Sequence, residues 1–300
     1  MKIIKALLTQ DEKIWLNLGL ACKKARDVSL PTLKKEICEK YNDYVHIVNG
    51  LDNNLPESMF SSAANSDLKK HFIDLYNYPT SRLKELLISK RREHALTSCP
   101  YCGNPTIPDT LDHFIPKDKL AEYSIYPNNL VPQCRSCAPI KSNKYFSHAN
   151  DLVMFAHPFY SRLLDNVIIE IISSLDEGKV NFQVKFSTRT DNVQEQRAII
   201  LHIISLKVKE RILVYCDKEI KKWIRKLKNT NFNIEQVLHA RYSEHDLHEA
   251  RSNWEFVLYR SLLENDSVMQ YLKSISPDEQ QNQSDDREFD LPPRLDTTLS

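Results

Sequence analysis

The spacing of apolar residues predicts helices through the first third of the chain. Apolar positions recur at intervals of three and four after Leu33, again over residues 67–78, and again over residues 81–96. Pro79 separates the second of these segments from the third. We therefore predict an N-terminal helical region over residues 1–97.

The pattern changes character over residues 98–150. Four cysteines and frequent prolines interrupt this stretch, and no long helical period occurs before its end. Such a segment has too few periodic apolar positions to build a core of its own. We predict a compact module of loops, short strands and one helix that is nucleated by a metal ion.

Helical patterning returns over residues 151–276. Residues 180–188 alternate between apolar and polar side chains, which predicts a strand, whereas the apolar run 167–175 fits a helix or a strand equally well. A long helical pattern covers residues 193–229, and two further helices are expected over residues 232–275. This region is therefore predicted to be mostly helical, with one or two strands.

The last segment, residues 277–300, is polar and acidic. It holds seven acidic residues, two basic residues and three prolines, and it has no apolar period. This composition is typical of disorder, so we predict a disordered acidic tail. The fold class predicted for the whole chain is α+β and mainly helical, with the module of residues 98–150 between two helical regions.

Composition excludes several classes of enzyme. The chain has only 4 glycines among 300 residues, and no two of them are close together. The dinucleotide-binding motif GxGxxG, the phosphate-binding loop GxxxxGK[ST] and the hydrolase motif GxSxG all need clustered glycines. Rossmann cofactor binding, P-loop nucleotide hydrolysis and the usual serine-hydrolase chemistry are therefore excluded.

Charge and hydropathy limit the surroundings and the partners. The net charge is +1, so a nucleic-acid surface must be a local patch. Residues 205–229 hold nine basic and three acidic residues, which fits a solvated helix face or a face that contacts phosphates. No apolar run is long enough for a membrane span, and the apolar stretch at the start is too short for a signal peptide. We therefore expect a cytoplasmic protein with no membrane partner.

Two pairs of cysteines provide the strongest chemical signal. Cys99 and Cys102 form one C-x-x-C pair, Cys134 and Cys137 form the other, and 31 residues lie between them. Each pair can place two thiolates on a tight turn, and four thiolates suit tetrahedral Zn²⁺. Four protein ligands leave no open coordination position, so we predict that this Zn²⁺ is structural.

The segment between the cysteine pairs carries a second signal. The sequence reads CPYCG, seven residues, LDHFIP, then NNLVPQCRSC and a following lysine. This order and spacing resemble the HNH endonucleases of the zinc-supported type, in which two short strands and a helix surround one divalent cation. The resemblance covers about 50 residues and implies a ββα-metal module. Outside the module there is only a weak likeness to HNH subunits of bacterial anti-phage defence systems of the Septu and retron types.

The resemblance assigns a role to each matching residue. His113 falls on the family histidine that acts as general base, and a neutral imidazole can take a proton from water. Asp112 falls on the carboxylate that holds the catalytic cation, Mg²⁺ or Mn²⁺. Asn129 falls on the asparagine that braces the loop bearing the histidine. Lys141 and Lys144, expected on the following helix, are candidates for contacts with nucleic-acid phosphates, as is Arg135.

Position 138 departs from the family pattern. The residue directly after the last cysteine should be an asparagine or histidine that provides the second protein ligand to the catalytic cation, but it is Ala138. Either an otherwise intact nuclease carries a substitution, engineered or isolated, that disables it, or the chain is a natural pseudo-nuclease. Because the other signature residues are intact, we favour the first explanation.

The resemblance leads to a functional expectation. It implies a metal-dependent endonuclease that cuts phosphodiester bonds of DNA, with RNA as the second choice, and that is inactive or weakened as written. The metal on Asp112 would stabilise the transition state and the leaving oxygen. A role in anti-phage defence with a protein partner such as an ATPase is part of this expectation. The alternative is a non-catalytic DNA-binding or scaffold protein that uses the zinc module for its shape.

Overall fold

The fold is taken from a computed structural model that describes residues 1, 4–51, 55–62, 65–244 and 250–277. The acidic segment predicted to be disordered lies outside the described residues, apart from Pro277. The described part is a mixture of helix and sheet and is mainly helical, as predicted, with 53% of residues in helices. Its strands form three separate antiparallel pairs.

The N-terminal region is helical, and its helices end where the sequence predicts breaks. It comprises α1 (Glu12–Leu20), α2 (Lys23–Asp27), α3 (Lys34–Asn49), α4 (Ser66–Asn77) and α5 (Ser81–Arg92). Pro79 lies in the short gap between α4 and α5. The Sγ atom of Cys22 accepts a hydrogen bond of 3.3 Å from the backbone N–H of Ala25, so this cysteine caps α2.

The module has the predicted short strands and one α-helix, with two short 3-10 helices between the strands. It contains β1 (Thr110–His113), β2 (Leu130–Gln133), α6 (Ala138–Lys141) and β3 (Phe146–Ser147). Strand β3 pairs with β4 (Leu152–Val153), so a hairpin crosses the expected boundary at residue 150. Helix α6 is a single turn, and Lys144 therefore lies after the helix instead of on it.

The ambiguous apolar run becomes a strand. Strands β5 (Val167–Asp176) and β6 (Lys179–Thr188) form a long antiparallel hairpin. Its two-residue turn has Glu177 at φ 47° and Gly178 at φ 74°, the left-handed conformations that a tight hairpin turn requires. The apolar alternation along β6 predicted a strand but could not identify the strand with which it pairs. All ten residues of β5 pair with β6, so the run 167–175 is extended.

The C-terminal helices are more numerous than expected. The single pattern over 193–229 is divided into α7 (Val193–Ser205) and α8 (Val208–Asn229), and Lys207 between them has a left-handed φ of 50°. The expectation of two helices over residues 232–275 is also wrong. Three α-helices occur within the part of this span that the structure describes: α9 (Ile234–Ser243), α10 (Trp254–Leu263) and α11 (Asp266–Ser274). Asparagine side chains cap all three, because Asn233, Asn253 and Asn265 each accept bonds from backbone N–H groups of the first turn.

The three regions share one apolar core, with the module inside it. Tyr44 from the N-terminal region, Tyr123 from the module and Trp254 from the C-terminal region are all buried in this core. The indole Nε1 of Trp254 donates a 2.8 Å hydrogen bond to the carbonyl oxygen of Cys102. The module is therefore held by helices on both sides. In the described residues, no helix is both long enough and apolar enough to cross a membrane.

Candidate active site

The β1–β2 hairpin carries the predicted site residues. Asp112 pairs with Val131 and His113 pairs with Leu130 in the antiparallel register. The four cysteines lie beyond one end of this hairpin. We call this group of residues the cysteine end. We call Asp112, His113, Asn129 and Ala138 the histidine end.

The structure brings the four predicted cysteines together. Their Sγ atoms all lie within 4.8 Å of one another, and all four residues are buried. The Sγ atoms of Cys102 and Cys134 are 3.9 Å apart. A tetrahedron with Zn–S bonds near 2.3 Å has S–S edges of about 3.8 Å, so the cluster has the right size for Zn²⁺.

The first cysteine pair depends on a glycine. The backbone N–H of Gly103 donates to the carbonyl oxygen of Cys99 over 2.8 Å, which closes the turn, and Gly103 has a φ of 77°. A Cβ atom at this position would lie 2.3 Å from the carbonyl oxygen of Ser252. Both the left-handed backbone and the close approach of the C-terminal region therefore require glycine.

Arg211 of α8 points its guanidinium at the cysteine cluster. Its Nη1 lies 3.2 Å from the Sγ of Cys137, and its Nη2 lies 3.4 Å from the Sγ of Cys102 and 3.5 Å from that of Cys134. Burial opposes the charged form, but the neighbouring thiolates raise the pKa of Arg211 above its usual value. A zinc ion with four thiolates has a net charge of −2, which this guanidinium partly neutralises.

His113 is held in one tautomer. Its Nε2 lies 2.9 Å from the carbonyl oxygen of Ser124, and a carbonyl can only accept, so Nε2 carries the proton and Nδ1 keeps its lone pair. Burial and, to a smaller extent, the ammonium groups of Lys117 and Lys141 lower the pKa of His113 to about 3. The ring of Tyr76 from α4 meets the imidazole edge-on, with centroids 4.3 Å apart. His113 is therefore neutral at pH 7, with Nδ1 available to accept a proton.

Lys141 does not lie where a phosphate contact requires it to be. Its side chain is fully buried, and its Nζ forms an ion pair of 2.9 Å with Oδ2 of Asp112. The same ammonium donates to the carbonyl oxygens of His113 and Phe114, each over 3.1 Å. All three N–H donors are thus used inside the protein, which corrects the expectation that Lys141 meets nucleic acid.

The residues at the histidine end do not complete a site for a catalytic divalent cation. Oδ2 of Asp112 already accepts from Lys141 and, over 2.6 Å, from the hydroxyl of Tyr101. Ala138 offers only a methyl group. Asn143, five residues further on, donates to Asp118 over 2.7 Å. Among the described residues, the cysteine cluster is the single group of three or more histidine, cysteine or acidic side chains that could hold a metal.

Asn129 is a fully bonded brace. Its Oδ1 accepts from the backbone N–H of Ile115 and from the hydroxyl of Tyr44, and its Nδ2 donates to the carbonyl oxygens of Ile115 and Tyr123. The hydroxyl of Tyr44 also lies 2.9 Å from Nε2 of His157, a buried histidine whose pKa burial lowers. This network fixes the segment that follows His113.

The two other cations expected at nucleic acid remain on the surface. Lys144 is exposed. Arg135 has 81% of its side chain exposed, and it forms a 2.6 Å ion pair with Asp109. Both can be reached by a ligand, in contrast to Lys141.

Several residues of the site could not be identified from the sequence. Tyr76 carried no sequence signal, because an aromatic residue in an apolar pattern is usually read as core, and the hydroxyl of Tyr101 in the first cysteine pair had no evident partner. Arg211 lies within the basic run 205–229, whose composition indicated a charged face but not that one arginine turns inward. The contacts of Tyr76 and Arg211 arise from the packing of α4 and α8 against the module, and that of Tyr101 from folding of the module itself.

The module matches a known family. The family model described as HNH endonuclease matches residues 99–144. The chain is also similar to the protein described as "Protein ea31" of Escherichia phage lambda, with 25% identity over 183 residues that cover 55% of this chain and 60% of the relative. No solved structure matches the chain. With the four clustered cysteines and the β1–β2 hairpin, the match shows that residues 99–144 form an HNH endonuclease domain.

Proposed function

We propose that this protein is an endonuclease that hydrolyses phosphodiester bonds of DNA, and that the chain as written does so slowly or not at all. The observation that carries the proposal is the state of His113 within a domain of the HNH endonuclease family. Its imidazole is neutral, its Nε2–H is fixed on Ser124, and its Nδ1 is left to accept a proton. A neutral imidazole with an unprotonated Nδ1 can accept a proton from water, which is the first requirement of a general base.

In this proposal His113 takes a proton at Nδ1 from a water molecule that attacks phosphorus. The oxygen of the water forms a bond to phosphorus while the bond to the leaving oxygen breaks. Tyr76 restricts rotation of the imidazole, and Asn129 holds the backbone that follows it. The geometry of the base is thus set before the substrate binds.

The impairment follows from the neighbours of Asp112. Its carboxylate is paired with Lys141, and position 138 provides no donor atom, so the ligand set for a divalent cation at the reacting phosphate is incomplete. A reacting group or cation misplaced by about 1 Å can cost about 10²-fold in rate. We therefore expect cleavage by the chain as written to be at least that much slower than cleavage by a form with asparagine at this position.

Two parts of the proposal remain predictions that rest on the family resemblance. They are DNA as the substrate, and Mg²⁺ or Mn²⁺ as the catalytic ion when position 138 is an asparagine. The exposed cations Arg135 and Lys144 are the residues of the module that we propose to meet DNA phosphates. A role in anti-phage defence with an ATPase partner, and a cytoplasmic location, also remain predictions. Zn²⁺ bound by the cysteine cluster is proposed as the structural metal, which the size of the cluster supports.

A second function is favoured by one specific observation. Because Asp112 is already satisfied by Lys141 and Tyr101, the histidine end is stable without a catalytic cation. The domain could therefore serve as a non-catalytic DNA-binding or scaffold module. The two functions predict different results for one substitution at position 138, which should restore DNA cleavage only in a nuclease.

The test is the Ala138→Asn protein, incubated with supercoiled plasmid and Mg²⁺ or Mn²⁺. Under the nuclease proposal, asparagine adds the missing donor, and nicking should become at least about 10²-fold faster than with the chain as written. Nicking should require the divalent cation. Gel analysis of the relaxed and linear products measures the rate.

Two control variants make the test specific. Ala138→Leu adds a side chain of similar shape without a donor atom, so it should not restore cutting. The double variant Ala138→Asn/His113→Ala should lose the restored cutting, because it has no general base. If Ala138→Asn binds plasmid but never cuts it, the scaffold function is correct and the nuclease proposal is wrong.

A further inference from the structure

The two halves of α8 differ in charge. Residues 208–217 include two basic and two acidic residues, whereas residues 218–229 include six basic residues and one acidic residue. The whole chain has a net charge of only +1, so the second half of α8 is a local concentration of positive charge. A basic surface of this kind attracts a polyanion such as nucleic acid.

Four of these cations form a stripe on the solvent side of the helix. The opposite side of α8 is buried and consists of Val208, Ile212, Cys216, Ile220, Trp223 and Leu227. Because successive residues of an α-helix are rotated by about 100°, the directions opposite this buried face belong to Lys218, Lys221, Arg225 and Lys228. We call these four residues the α8 stripe, and all four are exposed.

The α8 stripe is not neutralised by other side chains. Within the part of the chain that the structure describes, none of its four side chains forms a hydrogen bond or an ion pair. The two remaining cations of this half do have partners. Lys222 pairs with Glu219 over 3.1 Å, and Nζ of Lys226 lies 4.8 Å from the centre of the Trp223 ring. The stripe therefore presents three ammonium groups and one guanidinium to solvent.

The length of the stripe fits a run of phosphates. Its first and last members, Lys218 and Lys228, are ten residues apart. At about 1.5 Å per residue, the stripe is about 15 Å long. One strand of B-DNA has a phosphate about every 3.4 Å along the duplex axis, so this length spans about four phosphates. The stripe thus offers about one cation for each phosphate.

The start of α8 lies against the module, beside a cation that we propose to meet DNA. Nη2 of Arg211 lies 3.5 Å from Sγ of Cys134, and Arg135 is the next residue of the chain. The middle of the stripe is about 12 residues beyond Arg211, which is about 18 Å along the helix axis. This distance corresponds to about five base pairs of B-DNA. A single duplex is therefore long enough to contact Arg135 and the stripe together.

We propose that the α8 stripe binds the phosphate backbone of a DNA duplex that also contacts the module at Arg135. Contacts with phosphates position a duplex but carry no information about its bases, so the stripe provides affinity without sequence preference. The inference rests on the proposed function only for the identity of the ligand, DNA, and does not require cleavage.

The binding test uses the full chain as written and a fluorescein-labelled DNA duplex of about 30 base pairs. The stripe variant is Lys218→Gln/Lys221→Gln/Arg225→Gln/Lys228→Gln, in which glutamine keeps the helix propensity of the residues it replaces. It should weaken binding at least about 100-fold at about 50 mM salt and reduce the slope of log K against log salt by about 3 to 4. A second duplex of unrelated sequence should give the same changes.

A matched variant separates the stripe from the net charge of the protein. Lys34→Gln/Lys35→Gln/Arg82→Gln/Lys84→Gln removes four exposed cations from α3 and α5, so its net charge equals that of the stripe variant. It should change affinity less than about 3-fold and keep the parent's salt slope. Lys218→Arg/Lys221→Arg/Lys228→Arg keeps the charge of the stripe and should bind as tightly as the parent.

Thermal unfolding accompanies these measurements. The stripe residues are exposed and unpaired, so the stripe variant should melt close to the parent's temperature. The inference is wrong if the stripe variant keeps the parent's salt slope, if the matched variant loses as much affinity, or if the arginine variant also loses binding. Weaker binding together with a clear drop in melting temperature would also overturn it. No binding of either duplex by the parent would contradict both the inference and DNA as the substrate.

The cleavage test is carried out in the Ala138→Asn background. The stripe lies outside the site of the proposed chemistry, so the stripe substitutions should raise KM for plasmid at least about 10-fold and leave kcat unchanged. If Ala138→Asn does not cut, the nuclease proposal fails while the duplex measurement still decides the role of the stripe. If Ala138→Asn cuts and the stripe substitutions leave KM unchanged, the proposed function stands and the inference is wrong.

Discussion

The two ends of the HNH domain differ in how completely they are equipped. At the cysteine end, four thiols converge and a guanidinium from outside the module faces three of them. At the histidine end, the proposed general base His113 is neutral, Ala138 offers only a methyl group, and the carboxylate of Asp112 is held by a buried lysine. The stability of the domain and its chemistry therefore depend on different residues.

This difference separates the residues that hold the domain together from those that we propose act on the substrate. The four cysteines lie together inside the shared apolar core, where a bound Zn²⁺ would add folding free energy. Lys141 then neutralises Asp112, so the buried carboxylate needs no further cation for stability. Ala138 contributes only a methyl group, so no polar contact of this arrangement depends on its side chain.

The largest effect should come from breaking the cysteine end. Cys134→Ser removes one of four zinc ligands, and structural zinc contributes about 10 kcal/mol or more to folding in small zinc domains. We expect this variant to lose its bound Zn²⁺, close to one ion per chain in the parent, and to unfold at least the module. Metal analysis and circular dichroism measure the two losses.

Cys22→Ser is the matched control for this prediction. Cys22 lies outside the cluster and caps α2 through its sulfur, and a serine hydroxyl performs the same capping role. Zinc content and stability should both be preserved. A Cys134→Ser protein that keeps the parent's fold and melting temperature would show that the two ends do not differ as described.

A smaller effect is expected from the buried ion pair at the histidine end. Lys141→Met leaves Asp112 and two backbone carbonyls without their ammonium donor, and breaking a buried pair in this way costs about 3–5 kcal/mol. Urea unfolding measures the change. The exposed Lys144→Met should change the free energy of unfolding by less than about 0.5 kcal/mol.

A double variant sharpens this result. In Lys141→Met/Asp112→Asn the unpaired charge is removed, so part of the lost stability should return, and the difference gives the coupling between the two side chains. Purely additive losses would mean that the pair contributes nothing beyond its separate members. The buried lysine would then not be the reason why Asp112 is stable without a catalytic cation.

The smallest effect should be seen at Arg211. Arg211→Met keeps all four thiolates but removes the cation beside them, and loss of such a supporting contact typically lowers metal affinity about 10-fold or more. Zinc should therefore transfer faster to a chromogenic chelator, with the fold intact beforehand. Lys209→Met, an exposed lysine on the same helix, is the control and should release zinc at the parent's rate.

Local patterns predicted most of the elements. Helices α3, α4 and α5 follow the period of their apolar residues, and β6 follows its alternation. The pattern over 193–229 predicted one helix where there are two, because α7 and α8 are both amphipathic and the break at Lys207 depends on one backbone conformation. The run 167–175 could be assigned only through its pairing with β6, which is a contact between segments.

The site was predictable to the same extent. Spacing alone placed Cys99, Cys102, Cys134 and Cys137 in one cluster, because ligands on tight turns have a fixed separation along the chain. Spacing did not show that Lys141 points inward, since a lysine after a cysteine pair is compatible with solvent or with a buried carboxylate. The inward direction of Lys141 depends on its three partners, which are the carboxylate of Asp112 and the carbonyl oxygens of His113 and Phe114.

By itself, the sequence determined the HNH pattern of the module, the convergence of the four cysteines, and the positions of His113 and Ala138 within that pattern. These are encoded by residue type and by spacing over about 50 positions, so they can be read without coordinates. Only the tertiary structure decided that Arg211 faces the cysteine sulfurs and that Tyr76 lies against His113. These contacts join residues more than 15 positions apart in the sequence. Burial sets the charge of a side chain and its need for a partner, and a side chain is buried only once the chain has folded.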